Sequence, residues 1–202
     1  LDTKPEDVWE AVTLLEKDIR SLPPGLISTR YSLALLSYNT LLHIREGEIG
    51  SLLQDVAGLL RPGAQLFIDM ENPYLLTGAN YASEPVFETS FIDEVTNQRV
   101  EQWSRTSLDT NAQTLTVSWQ FRTQEQNSEA PLVEIVYHYL YPHQIVLFLQ
   151  QAGFRLEKML GSYEGEPFEE DSDRLLLLAR SGERPVRAER RPEQTKPPLT
   201  EQ

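Results

Sequence analysis

The chain has 202 residues, no cysteine and a formal net charge of −13. The missing cysteine excludes disulfides, thiolate metal ligands and a cysteine nucleophile. The acidic balance repels phosphate backbones and argues against nucleic acid and anionic membranes as direct partners. No apolar run approaches the ~20 residues of a membrane span, so the expected setting is the cytoplasm. At 40% hydrophobic residues the chain can bury a sizeable core of one domain plus an insertion or tail.

The chain opens on Leu1-Asp2-Thr3, neither a methionine nor a signal-like segment, so a processed, truncated or incomplete chain is expected. Residues 1–10 are polar, with Pro5 and four acids. Val12–Leu15 is a short run of β type. Read as a parallel strand, it carries Asp18 at its carboxyl end; read otherwise, Asp18 is an exposed loop acid. Leu22-Pro-Pro-Gly25 is a break.

The next stretch organises the rest. Tyr31 to Leu36 is an apolar run ending in Ser37-Tyr38-Asn39. Apolar residues then recur at Ile49, Leu52, Leu53, Val56, Leu59 and Leu60, the spacing of one helix face. Arg61-Pro62-Gly63 is expected to stop that helix. Leu66-Phe67-Ile68 is a second buried strand, ending in Asp69-Met70-Glu71-Asn72. Strand, helix and strand make a βαβ unit with polar residues at the carboxyl end of both strands. In an open parallel sheet that edge is where ligands bind.

From Pro85 to Leu140 the period changes to two. Leu115, Val117, Trp119 and Phe121 share one strand face; Val133, Ile135, Tyr137 and Tyr139 share another. Turn signals stand at Thr96-Asn97 and Asp109-Thr-Asn111, and Gln124–Ala130 is a polar loop. About four antiparallel strands follow from those signals. Tyr141-Pro142 opens a helix with Ile145, Phe148, Leu149 and Ala152 on its apolar face, and Gly153 ends it. Phe154–Leu160 and Arg174–Ala179 read as strands whose short connection requires an antiparallel hairpin.

The expected fold class is α/β. Residues 1–84 and 141–180 form a Rossmann-like, doubly wound, mostly parallel sheet with an antiparallel closing hairpin. Residues 85–140 form an inserted antiparallel β lid or substrate platform beside the sheet's carboxyl edge. Residues 181–202, rich in Pro, Arg and Glu, are expected to be a disordered tail.

Four segments carry a resemblance. They are Val12 to Arg20 with its terminal acid, Leu35-Leu-Ser-Tyr-Asn-Thr-Leu-Leu-His43, the Leu59-Leu-Arg-Pro-Gly63 turn, and Gln151-Ala-Gly-Phe154. In this order and spacing the chain from Val12 to Arg180 resembles the class I S-adenosylmethionine-dependent methyltransferases of the small-molecule branch. Ala64 stands where that family's turn has a second glycine. The family's glycine-rich loop, where only glycine lets backbone approach the cofactor closely, is absent from the sequence. The portion carrying it would span roughly 50 residues or more, on the ~30-residue scale of a βαβ unit. A sheet without its central first strand leaves an apolar edge that native proteins avoid. An incomplete sequence is therefore expected over a natural half-fold.

The resemblance implies S-adenosylmethionine as cofactor and a small molecule as methyl acceptor. Asp18 and Ile19 would meet the adenine, and Ser37, Tyr38 and Asn39 the place where methyl group and acceptor come together. Asp2 would bind the ribose hydroxyls. Asp2 and Val12 lie too close for a full crossover, so either residues are missing there or the likeness at Asp2 is chance.

Methyl transfer from a sulfonium is a direct displacement that needs an aligned acceptor and sometimes a base. His43 and His138 are the candidate bases, each with a structural reading beside it; His143 is expected to be solvated. Asn39, His43, Asn72, Tyr74, Tyr137 and Tyr163 are the candidate acceptor-binding residues. Asn39 as a simple cap and the tyrosines, Tyr139 above all, as sheet packing are the alternatives. The histidines form no helical i, i+4 pair, and no metal is expected. The rival functional reading is a non-catalytic methyltransferase-like scaffold kept for protein contacts.

Overall fold

The structure is a computed structural model, which describes residues 12–22, 31–79, 81, 84–123 and 132–182. The expectations placed on Asp2, on the loop 124–130 and on residues 183–202 lie outside the described residues.

The βαβ unit is present. β1 (Tyr31–Leu36) and β2 (Leu60–Glu71) pair in parallel, with Leu33 opposite Gln65 and Leu36 opposite Ile68. Between them, α1 (Glu46–Leu59) buries Ile49, Leu52, Leu53 and Val56, the stripe read from the sequence. The expected helix stop at Arg61-Pro62-Gly63 is corrected. The helix ends at Leu59, and Leu60 already pairs with Tyr31. The break is absorbed inside β2 as a register shift, with Gly63 at φ 75°. Proline offers no ladder N–H and glycine accepts the left-handed bend, so the strand bulges there.

α2 (Pro73–Gly78) follows β2, and α3 (Pro142–Gln151) leads into β7 (Phe154–Leu160) and β8 (Arg174–Ser181). The first sheet has the order β1-β2-β8-β7. β8 is antiparallel to both neighbours, so β1, β2 and β7 share one direction. The expectation of a mostly parallel sheet is thus corrected to a mixed one, with a single parallel pair among the described strands. The connection 161–173 carries no helix that could make a crossover, so β8 must turn straight back. β8 also runs through Ser181, one residue into the stretch expected as tail; its hydroxyl donates to the Arg61 carbonyl at 2.7 Å.

The doubly wound arrangement is not met among the described residues. α1 and α3 pack in one core with Leu66, Ile68, Met70, Leu175, Leu177 and Ala179. Strand alternation puts Leu33 and Leu35 on the opposite face, where both are exposed. Val12–Leu15 is no strand either. Residues 12–18 have no regular structure, Leu14 is 83% exposed, and β1 pairs only with β2 among the described strands. Without a ladder partner among the described strands the run has no sheet bonds, only the local one from the Lys17 N–H to the Leu15 carbonyl.

The second sheet is an antiparallel meander of β3 (Val86–Ile92), β4 (Arg99–Asp109), β5 (Thr114–Thr123) and β6 (Leu132–His138). Leu115 lies opposite Tyr137, Val117 opposite Ile135 and Trp119 opposite Val133, so the two alternating faces read in sequence are one face. Aspartates close both turns. Asp93 Oδ1 accepts from the N–H groups of Val95 and Thr96, and Asp109 Oδ1 from those of Asn111 and Ala112. The meander is tied to the first sheet's core through Gln113 and Gln144, whose carboxamides exchange bonds of 3.0 and 2.8 Å. Gln144 Oε1 also accepts from the Tyr141 N–H at 2.9 Å, capping α3.

Candidate active site

At the carboxyl end of β1 the chain turns through Tyr38 at φ 56° and Asn39 at φ 63°. Asparagine tolerates this left-handed region; tyrosine does so only at a cost. The turn is held from β2. The Tyr38 N–H donates to Asp69 Oδ2 at 3.0 Å and the Asn39 N–H to the Asp69 carbonyl at 3.1 Å. The Asn39 side chain accepts from the Glu71 N–H at 2.8 Å and donates to Glu71 Oε1 at 3.1 Å. Arg174, the first residue of β8, donates Nε to Asp69 Oδ1 and Nη2 to Asn39 Oδ1, each at 3.0 Å.

Asp69 is 4% exposed. Burial alone would raise its pKa. The Arg174 guanidinium, the Tyr38 N–H and the Tyr163 phenol outweigh that and hold the carboxyl below its ordinary range. The same bond to Asp69 pushes the Tyr163 phenol up. Strain of this kind persists only where surrounding structure over-determines it. Replacing Tyr38 by glycine should therefore raise stability by about 0.5–1 kcal/mol, left-handed relief less the added chain entropy. Urea denaturation checks this; a loss of stability would mean that the Tyr38 ring supports the fold, although it is 89% exposed.

Beyond Asn39 a 3-10 turn (Thr40–His43) begins, with the Thr40 hydroxyl donating to the Ser37 carbonyl at 2.6 Å. It brings the His43 ring to 5.2 Å from Tyr137 of β6. The two sheets meet here, at the edge that also carries Ser37, Tyr38 and Asn39. His138, on the alternate face of β6, is partly buried beside Arg45 and Glu48. Burial first, then Arg45, lowers its pKa against the opposing pull of Glu48 and so favours the uncharged ring.

Asp18 and Asn72 are placed differently from their reading. Asp18 ends no strand; its side chain is 49% exposed and clamped by Arg20, which also reaches Glu48 at 3.3 Å. The Arg20 bonds bring the Asp18 carboxyl down to about 2. Neighbouring Ile19 packs partly buried against the core. Asn72 is corrected from acceptor binding to a structural role. It is 1% exposed, its Oδ1 caps α2 through the Tyr74 N–H, and its Nδ2 donates to the carbonyls of Glu170 and Ser172. Tyr74 lies in an aromatic cluster, 5.3 Å from Tyr141 and 6.4 Å from Phe168.

Asp69, Glu71 and Arg174, which hold this turn, stand outside the candidate site residues read from the sequence. The polar run closing an apolar strand marks the first two; for Arg174 the only signal is a cation opening a strand of leucines.

No model of a known protein family matches the chain. No curated protein matches it either. Solved structures do. The CcbJ methyltransferase of Streptomyces caelestis is 21% identical, with a TM-score of 0.63 over 83% of this chain and 62% of that one. An S-adenosylmethionine-dependent methyltransferase of Clostridium acetobutylicum is 13% identical, with a TM-score of 0.65 over 83% of this chain and 63% of that one. The sugar N-methyltransferase KedS8 of Streptoalloteichus is 16% identical, with a TM-score of 0.56 over 83% and 62%. The chain has the fold of the S-adenosylmethionine-dependent methyltransferases. It spans 62–63% of the length of these three structures. In this methyltransferase fold, the turn after β1 and the junction with β6 share one edge of the first sheet, where the sequence places its candidate chemistry.

Proposed function

We propose that the protein transfers a methyl group from S-adenosylmethionine to a small-molecule acceptor at the carboxyl edge of β1 and β2. The observation that carries this reading is the meeting, within a methyltransferase fold, of the strained Tyr38–Asn39 turn with the His43–Tyr137 contact. Residues 1–84 and 141–180 act as the core and residues 85–140 as a lid or substrate platform. The reading is of a cytoplasmic enzyme that needs neither nucleic acid nor membrane. No helix among the described residues is long and apolar enough to cross a membrane.

The residues present suit the cofactor. Ser37 and Tyr38 are exposed at the edge, and the half-exposed Asp18 carboxylate, held by Arg20, lies beside apolar Ile19. Asp18 and Ile19 would hold the adenine, and Ser37, Tyr38 and Asn39 the reacting end. When bound, the cofactor supplies an electrophilic methyl group on sulfur. The chain's own part is positional. Tyr137, Tyr74 and Tyr163 line the acceptor's approach, and Asn39 fixes the edge it meets. His43 takes the proton that a nucleophile must shed, with neutral His138 as the further base.

An amine is the acceptor class in view. Similar structures include an amino pentose methyltransferase of Micromonospora echinaspora and the sugar N-methyltransferase named above. The partly buried Glu71 carboxylate would attract an ammonium group, and a neutral imidazole would deprotonate it before attack. Calorimetric titration with S-adenosylhomocysteine tests the reading. Binding near the micromolar range, about −8 kcal/mol, is expected; no binding at millimolar ligand overturns it.

A further inference from the structure

We propose that Arg174 is a positioning residue of the methyl-transfer site, acting through Asp69 and Asn39 on the conformation of the Tyr38–Asn39 turn. This rests on the methyl-transfer reading and extends it to a residue 135 positions away from Asn39 in sequence.

The geometry is specific to a guanidinium. Arg174 uses Nε and Nη2 on one oxygen of Asp69 and the same Nη2 on the Asn39 amide oxygen. Its planar fork reaches both acceptors at once; a lysine ammonium could neutralise Asp69 but has no fixed second donor for Asn39. The other oxygen of Asp69 takes the Tyr38 N–H, and the Asp69 carbonyl takes the Asn39 N–H. Both backbone donors of the turn thus end on the residue that Arg174 orients. The Asn39 amide oxygen is shared between Arg174 and the Glu71 N–H, so the asparagine cannot rotate without losing both. Two adjacent non-glycine residues in the left-handed region need such an external hold.

What the hold fixes is the direction of the exposed Tyr38 side chain and of the 3-10 turn bearing His43. Arg174 itself is four-fifths covered and bonds only inward. It touches no reacting atom and acts through the turn.

Arg174→Lys separates this role from charge pairing. A control lies on the same strand: Arg180 pairs with Glu157 and the Gly63 carbonyl at the opposite end of β2. Wild type, Arg174→Lys and Arg180→Lys are compared by S-adenosylhomocysteine titration, by the chemical shift of the Tyr38 amide and by thermal melting. The expected result is a folded Arg174→Lys whose Tyr38 amide proton moves upfield and whose ligand affinity falls about tenfold or more, on the scale of misplacement effects. Arg180→Lys should keep wild-type affinity and an unmoved Tyr38 amide. Should Arg174→Lys not fold, Arg174→Gln, which keeps one amide donor but loses the fork that reaches both acceptors, is read the same way. Wild-type affinity in Arg174→Lys, an unmoved amide, or an equal affinity loss in Arg180→Lys overturns the role alone. Failure of the wild type to bind overturns the methyl-transfer reading, and the role with it.

Discussion

Asp69→Ala should lower stability by about 3 kcal/mol, because it leaves the Arg174 guanidinium largely covered and without its carboxylate. Breaking a buried ion pair from one side costs on the order of 3–5 kcal/mol. The low end applies because Arg174 retains 22% side-chain exposure against 5% for Asp69. The loss should depend on pH. The folded Asp69 carboxyl lies below its ordinary value of 3.8, so it contributes stability that is fully present above that value and fades as pH falls through the folded one. Urea midpoints of wild type and Asp69→Ala should therefore differ most at neutral pH and converge in acid. A difference that stays constant down to strongly acid pH would show that the charge of Asp69 does not carry the effect.

Leu53→Ala should cost a similar amount, about 3 kcal/mol, for a different reason. Leu53 is fully buried on the sheet-facing side of α1, within the core that α1 shares with α3. Truncation removes its transfer free energy and leaves a cavity, which in leucine-to-alanine changes costs about 2.7–5 kcal/mol. Alanine's helix propensity returns only a few tenths. Gln54, the next residue, is exposed, and Gln54→Ala should change stability by less than about 0.5 kcal/mol. Urea unfolding with unchanged denaturant slopes is the check. Equal midpoints for the two variants would mean that α1 does not seat on the sheet by this stripe.

The elements with a strong period were legible. Ile49, Leu52, Leu53 and Val56 announce a helix because a 3.6-residue repeat has no other stable use in a soluble chain. The alternation from Leu115 to Phe121 announces a strand for the matching reason. Phe154–Leu160 matches β7 because Gly153 and the apolar run bound it sharply. Strand neighbours were less legible. Nothing local in Arg174–Ser181 says that it inserts between β2 and β7, since pairing partners are chosen by long-range contacts. Val12–Leu15 shows the converse error, a β-type composition with no ladder to join among the described residues. The site was half legible: Ser37-Tyr38-Asn39 and His43 stand out as polar residues closing an apolar run. The Asp69–Arg174 pair joins residues 105 positions apart, and no spacing rule reaches that far.

The placement of β8 sets an order of events during synthesis. The last described strand occupies an interior slot of the first sheet, between β2 and β7. Until the ribosome releases it, β2 offers an unpaired edge and the Tyr38–Asn39 turn lacks its guanidinium. Such distant pairing closes late, because loop-closure entropy is met before the contacts reward it. A nascent chain halted before residue 174 would carry the exposed apolar edge of β2, open to chaperones or to misassociation. The Tyr38–Asn39 turn would thus be set only once β8 has paired, so a correctly shaped turn reports that the described strands of this sheet have come together.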